Sequence, residues 1–217
     1  MTVGIRGISP WVVAIGLVFV LGPQSWAFAQ KGAKISVGDA PSVKEGAPEF
    51  VLVEVSDFQC PYCGQGTREV LPQLLETFVH AGKIELIFLD LPLQMHPNAF
   101  KAAEAAACAG DQKKFWPMHD LLFEHQQALA PAQLPGYAAE LGLDVPAFQA
   151  CLAGGKHDGA IRNHIRIAHD LGIHGTPAYV LGRRISGTDK VQVVEIVKGV
   201  PEYDDLEAKL KALLASK

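Results

Sequence analysis

The sequence predicts an α/β fold in which two blocks of strands are separated by an inserted all-helical subdomain. Three observations carry this expectation. Phe50 to Ser56 (FVLVEVS) is apolar and β-branched on both faces, as a strand covered on both sides should be. The stretch from 96 to 172 is rich in Ala and has helical rather than alternating periodicity. After Gly175-Thr176-Pro177 the strand pattern returns. With 217 residues, 49% of them apolar, the chain can bury a core in one or two domains. Its 19 Lys and Arg against 23 Asp and Glu, a net charge of -4 without long runs of one sign, argue against nucleic acid or an anionic membrane surface as a partner.

Residues 1–29 read as a secretory signal peptide. Arg6 is followed by the apolar run Trp11 to Leu21, a Gly22-Pro23 break, and Ala27-Phe28-Ala29 as a cleavage site. The run would make about 16 Å of helix, too short for a hydrocarbon core, so an uncleaved anchor is the weaker alternative. The expected location is therefore periplasmic or otherwise extracytoplasmic, where disulfides persist. Residues 30–49 read as an N-terminal arm with a short edge strand at Lys34 to Val37.

Residues 50–95 follow as a β-α-β unit. The strand Phe50 to Ser56 leads directly into a helix from about Cys60 to His80, bent at Pro72, and Gly82 leads into a second strand, Ile84 to Leu89. In the insert, 96–172, helices are expected over Ala99 to Ala109, Phe115 to Gln127, Leu134 to Leu141, Val145 to Leu152 with Asp144 as cap, and Gly159 to Leu171. Residues 173–217 give a strand at Ala178 to Leu181, a turn at Gly182-Arg183, a return strand at Arg184 to Ser186, and a helix from Pro201 to Ala215 with acids first and lysines later.

Cys60-Pro61-Tyr62-Cys63 falls where a buried strand hands over to a helix. A thiolate at the helix start receives unpaired backbone N–H groups and the positive end of the helix dipole, so Cys60 is the expected nucleophile. Pro61 sits where a missing N–H costs nothing, and the i to i+3 spacing places Cys63 one turn on as the resolving thiol. A zinc half-site is the alternative, but Cys108 and Cys151 stand singly instead of supplying a second C-x-x-C. Spacings of five among His164, His169 and His174 give no shared ligand face, and no metal is expected.

These residues resemble the DsbA-like thiol:disulfide oxidoreductases of the thioredoxin superfamily. Asp57-Phe58-Gln59-Cys60-Pro61-Tyr62-Cys63 is similar to the family's active-site segment, Asp111-Gln112, Phe115-Trp116 and His119-Asp120 to its helical insert, and Gly175-Thr176-Pro177 to its threonine-proline loop. The resemblance covers nearly all of 50–214. It implies a thioredoxin-like fold, no cofactor, and a Thr176-Pro177 bond that is cis, lies against the dithiol and presents backbone to an extended substrate. The Thr176 hydroxyl would tune the sulfurs with a sign the sequence leaves open. Glu54, a lone carboxylate six residues before Cys60, matches the buried acid beneath the family's disulfide and would relay protons for Cys63; pointing to an edge is its alternative. Tyr62, in the variable dipeptide, supplies no positive charge near Cys60.

The implied activity is the introduction of disulfides into reduced, unfolded proteins by an exported monomer that a quinone-linked membrane partner reoxidises. A disulfide reductase or isomerase on the same fold, or a non-redox peptide-binding holdase, are the alternatives. Cys108 and Cys151, isolated in predicted helices without an activating proline, are expected to form a structural disulfide; otherwise both serve as small buried apolar side chains.

Overall fold

A computed structural model of the chain describes residues 1–2 and 31–216. The expected signal segment, apart from its first two residues, lies outside the described residues. The strands are β1 (Lys34–Ser36), β2 (Ser42–Val43), β3 (Phe50–Ser56), β4 (Ile84–Asp90), β5 (Ala178–Arg184) and β6 (Lys190–Lys198). They form one sheet in the order β1-β6-β5-β3-β4-β2, with β3 and β4 parallel and the other neighbours antiparallel. Both short strands of the N-terminal arm are used, one on each edge of the sheet.

The apolar residues of β3 alternate between two cores. Val51, Val53 and Val55 face Ile87, Leu89, Val180, Val191 and Val193, under Ile167, Ala168 and Leu171. Phe50 and Leu52 face the opposite core with Ile84, Leu86 and Leu181, under Leu71, Leu74, Phe78, Leu206, Leu210 and Leu213. Helix α1 (Pro61–Glu69) follows β3, and the latter helical residues come from α2 (Leu71–Leu74), a five-residue π-helical stretch (Leu75–Val79) and α8 (Tyr203–Ala215). The single bent helix expected from Cys60 to His80 is thus three pieces. The break falls at Val70 (φ -106°, ψ -47°), just ahead of Pro72, which enters α2 at its first turn.

The insert consists of α3 (Ala99–Asp111), α4 (Phe115–Glu124), α5 (Leu134–Glu140), α6 (Val145–Gly154) and α7 (Asp158–Asp170). The Asp144 carboxylate caps α6 by accepting from the Ala147 N–H at 3.0 Å, and Gly155 closes it in the left-handed region at φ 59°. Small Ala side chains on α3 let it pack closely against Met118, Leu122 and Phe148. Helix α7 bridges both parts, with Ile161 in the insert's core and Ile167 and Ala168 on the sheet. Cys108 and Cys151 are joined by a disulfide between α3 and α6, with Cα atoms 5.9 Å apart.

The C-terminal strands correct the sequence reading. Gly182-Arg183 is not a turn and Arg184 to Ser186 is not a return strand. β5 runs through both positions to Arg184, the chain turns over Ser186 to Asp189, and the return strand is β6. Gly182 lies at a register shift between β5 and β6, where a Cβ would stand 2.7 Å from the Gln192 carbonyl oxygen and 2.5 Å from Val191 Cγ1. The glycine permits close strand approach at a bulge instead of reversing the chain.

Candidate active site

Cys60 occupies the N-cap of α1 with extended backbone (φ -74°, ψ 122°), and Pro61 is the first helical residue. The turn leading to it is held by Asp57, whose buried carboxylate accepts from the N–H groups of Gln59 (2.7 Å) and Leu93 (2.8 Å) and pairs with His96 Nδ1 at 2.7 Å. From the insert, the Gln126 side-chain amide donates to the carbonyls of Phe58 (2.9 Å) and Cys60 (2.8 Å). The active-site turn is therefore clamped from the sheet side by Asp57 and from the helical side by Gln126.

Cys60 and Cys63 are both free thiols and both buried, Cys63 completely. The Thr176-Pro177 bond is cis. Across the loop that contains it, the Cys60 thiol donates to the Thr176 carbonyl oxygen at 3.5 Å. Cys60 is held down to about 5. A hydrogen bond from the Cys63 thiol is the largest cause; it prevails over burial together with the Thr176 hydroxyl and the backbone N–H groups of Cys63 and Tyr62. Burial pushes Cys63 far up, and the neighbouring Cys60 adds to that. The Thr176 hydroxyl oxygen is buried with no hydrogen-bond partner in this arrangement, so its O–H is free to turn toward the sulfurs. The sign left open by the sequence is a lowering, at both thiols.

Glu54 points inward, not to an edge: it is 2% exposed, with Oε1 unpartnered. Burial raises its pKa, opposed by the His119 imidazole and the Ser56 hydroxyl. Glu54 and Ser56 share a face of β3, and Tyr179 of β5 is the register partner of Glu54. Tyr179 is itself pushed up by burial and by its proximity to Glu54 and Cys63. Its hydroxyl reaches so close to α1 that a Cβ on Gly66 would lie 2.6 Å from the oxygen. Glu54, Ser56, Tyr179 and His119 thus form a buried polar cluster beneath the dithiol.

Sequence reasoning placed Cys60, Cys63, Glu54, Thr176 and Pro177 as site candidates, and the structure brings Cys60, Cys63 and Thr176 into contact, with Glu54 in the polar layer below. It missed Ser56, Tyr179 and Gln126. The polar pair Glu54 and Ser56 at strand spacing in an apolar strand was the available signal for the first; Tyr179 and Gln126 depend on register and on docking of the insert. Cys108 and Cys151 are bonded to each other within the insert and make no hydrogen bond to Cys60 or Cys63; Cys108 shares the insert's buried core with both. A groove of about 510 Å³ adjoins the dithiol, lined among others by Tyr62, Gln65, Glu69, Thr176, Pro177 and Tyr203.

The sequence profile described as thioredoxin matches residues 44–198, spanning the arm's end, the CxxC helix, the insert and the last two strands. The chain belongs to the thioredoxin family. Among solved structures, this thioredoxin-family chain superposes on BdbD from Bacillus subtilis with a TM-score of 0.72 at 18% identity, covering 86% of this chain and 98% of that one. On DsbA2 from Pseudomonas aeruginosa the TM-score is 0.65 at 25% identity, covering 85% and 96%. Its thioredoxin fold with a helical insertion is thus DsbA-like. In sequence it is 43% identical over 151 residues to the Na(+)/H(+) antiporter NhaA 1 of Salinispora arenicola, which is 66% of this chain and 22% of that protein. The chain therefore spans about a fifth of that relative's length.

Proposed function

We propose that this DsbA-like thiol:disulfide oxidoreductase works outside the cytoplasm as an oxidase, donating a Cys60–Cys63 disulfide to reduced, unfolded proteins. The observation that carries the direction is the stabilised Cys60 sulfur. A thiolate favoured by the Cys63 thiol, the Thr176 hydroxyl and two backbone N–H groups stabilises the reduced form of the couple, which makes its disulfide oxidising. A substrate thiolate attacks Cys60 Sγ, the Cys60–Cys63 bond breaks, and Cys63 departs as a thiolate that takes the proton of the Glu54 carboxyl. A second substrate thiolate then attacks the substrate sulfur of the mixed disulfide, releasing Cys60 as a thiolate and the substrate as a disulfide.

The groove beside Thr176 and Pro177 is where an extended substrate segment would lie, reading backbone at that loop. The Cys108–Cys151 bond serves structure, joining two helices of the insert without a helix-start cysteine of its own. A membrane partner of the quinone-linked kind would restore the disulfide, and the working form is a monomer exported by the segment 1–29. The test is the Cys63→Ser protein mixed with reduced, unfolded substrates, together with the reduction potential of the parent couple. Covalent adducts at Cys60 and a potential well above that of cytosolic dithiol reductants are expected. No adducts would remove the role assignment, and a strongly reducing potential would favour the reductase reading.

A further inference from the structure

Each turnover moves one proton at Cys63, outward or inward. It enters when Cys63 is displaced as a thiolate during substrate oxidation. It leaves when the reduced protein is reoxidised: the Cys63 S–H gives up its proton, its sulfur attacks Cys60 Sγ of the mixed disulfide with the oxidant, and the oxidant's thiolate departs. On the reading above, Glu54 holds that proton in between. Cys63 is fully buried and Glu54 is 2% exposed, so any exchange of that proton with water, beyond its passage back and forth between Glu54 and Cys63, needs a further carrier.

His119, on α4, is also fully buried. Its ring is caged by Phe58, Phe88, Phe115, Trp116 and Phe123, at centroid distances from 4.8 to 6.3 Å. Phe88, 5.1 Å away and edge-on, is the register partner of Glu54 on β4. Among the buried polar atoms of this region without a hydrogen-bond partner are His119 Nε2, Glu54 Oε1 and Ser56 Oγ; the first two are of complementary chemistry, though not bonded to each other in this structure. Electrostatic interaction with His119 also opposes the effect of burial on Glu54. On its other side, Nδ1 bonds Asp120 Oδ1 at 2.8 Å, and the Asp120 side chain is 72% exposed. An aromatic cage would hold a phenyl ring without an orphaned nitrogen, so an imidazole there calls for a use.

We propose that His119 carries protons between Glu54 and the exposed carboxylate of Asp120, completing a path from Cys63 to solvent. The inference rests on the Glu54 reading. In the resting ring Nδ1–H donates to Asp120 and Nε2 is bare. Outward, Nε2 takes the proton of the Glu54 carboxyl while Nδ1–H passes to Asp120 and then to water. Inward, the Asp120 carboxyl protonates Nδ1 while Nε2–H passes to Glu54. Because the two directions alternate in each catalytic cycle, each transfer restores the tautomer that the next one needs, and the ring does not have to turn inside its cage. The titratable groups that act on or with Glu54 are His119 from α4 and Tyr179 from β5, and Tyr179 in turn is influenced by Cys63 from α1; His119 is packed among aromatic rings and bonds Asp120.

The test follows reaction of the reduced protein with glutathione disulfide, trapping the mixed disulfide by acid quench and timing its resolution from pH 5 to 9. Parent, Glu54→Gln, His119→Gln and Asp120→Asn are compared, with the pH profile of Cys60 alkylation as the control. Resolution at least about tenfold slower in Glu54→Gln and His119→Gln is expected, with a smaller slowing in Asp120→Asn and an unchanged Cys60 profile. If Glu54→Gln is slow while His119→Gln and Asp120→Asn stay within twofold of the parent, the proton leaves by another route and the proposal falls alone. If Glu54→Gln itself resolves at the parental rate, the Glu54 reading falls and takes the proposal with it. A Cys60 profile displaced in His119→Gln would mark that residue as merely structural and overturn the carrier role. Should His119→Gln not fold, the exposed Asp120→Asn decides: slowing supports the path and parental kinetics overturn it.

Discussion

The Cys60 thiol hydrogen-bonds the Thr176 carbonyl oxygen at 3.5 Å, tying the start of α1 to a loop 116 residues further along the chain. The buried hydroxyl of the same residue lowers the pKa of both thiols. One loop residue therefore offers an acceptor when Cys60 is a thiol and a donor when it is a thiolate.

Iodoacetamide labelling of the reduced protein should modify Cys60 with a midpoint near pH 5 and a plateau by neutral pH, leaving Cys63 untouched. Thr176→Val removes the hydroxyl donor while keeping the shape. Its midpoint is expected to move up by about one unit, the size of one hydrogen bond to a charged group. Peptide mapping that finds Cys63 labelled first, or an unmoved midpoint in Thr176→Val, contradicts this account.

The depressed Cys60 pKa also fixes how the reduced form responds to pH. The ordinary thiol titrates near 9 and the folded one near 5, so between these values the unfolded chain binds a proton that the folded chain does not. The contribution to stability is complete above pH 9 and is lost as pH falls through 5. Urea denaturation of the reduced protein, compared with reduced Cys60→Ala, should show an advantage that grows from pH 5 to 9. Above that window Cys63, pushed up by burial, acts in the opposite sense. A difference independent of pH across 5 to 9 would refute the linkage.

Gly66 and Tyr179 form a steric pair, since a Cβ at Gly66 would meet the Tyr179 hydroxyl at 2.6 Å. Gly66→Ala should destabilise the protein by about 1–3 kcal/mol through overpacking, despite the better helix propensity of Ala. Adding Tyr179→Phe removes the obstructing oxygen and should restore most of the loss. Strictly additive effects in this double-mutant cycle would show that the hydroxyl is not what excludes a side chain.

The Cys108–Cys151 bond closes a loop across a sequence separation of 43, for which chain entropy gives about 4 kcal/mol. Cys108→Ala and Cys151→Ala should each lose a sizeable part of that in thermal melts. Both should retain dithiol exchange at Cys60. Variants that melt like the parent but lose exchange activity would reverse the assignment.

How far the sequence could be read follows from how local each signal is. The strand Phe50 to Ser56, the CxxC at a helix start and the Asp144 cap depend on neighbours within a few residues, and each is legible. The C-terminal hairpin was misplaced because Gly182 carries the local mark of a turn, while its actual use, close approach of Val191 and Gln192 at a bulge, is a tertiary fact. β6 carries a weak local signal: its polar and apolar residues (KVQVVEIVK) lose strict alternation where the bulge shifts the register. At the site, Gln126 and Tyr179 look like an ordinary helix-end amide and a strand aromatic until the insert and β5 are docked.

The placement of the arm's two strands has a consequence for the order in which the chain can complete itself. β2 finds its partner, β4, some forty residues later, but β1 pairs only with β6, joining Ile35 to Val191. A chain made or delivered from its N-terminus therefore carries Lys34–Ser36 as a loose end until nearly the last strand arrives. Until then the edge of β5 that β6 will cover stays open, a row of unpaired N–H and C=O groups able to recruit another chain. Completion is long-range and late, so the interval between emergence and closure is when this protein is most exposed to mispairing.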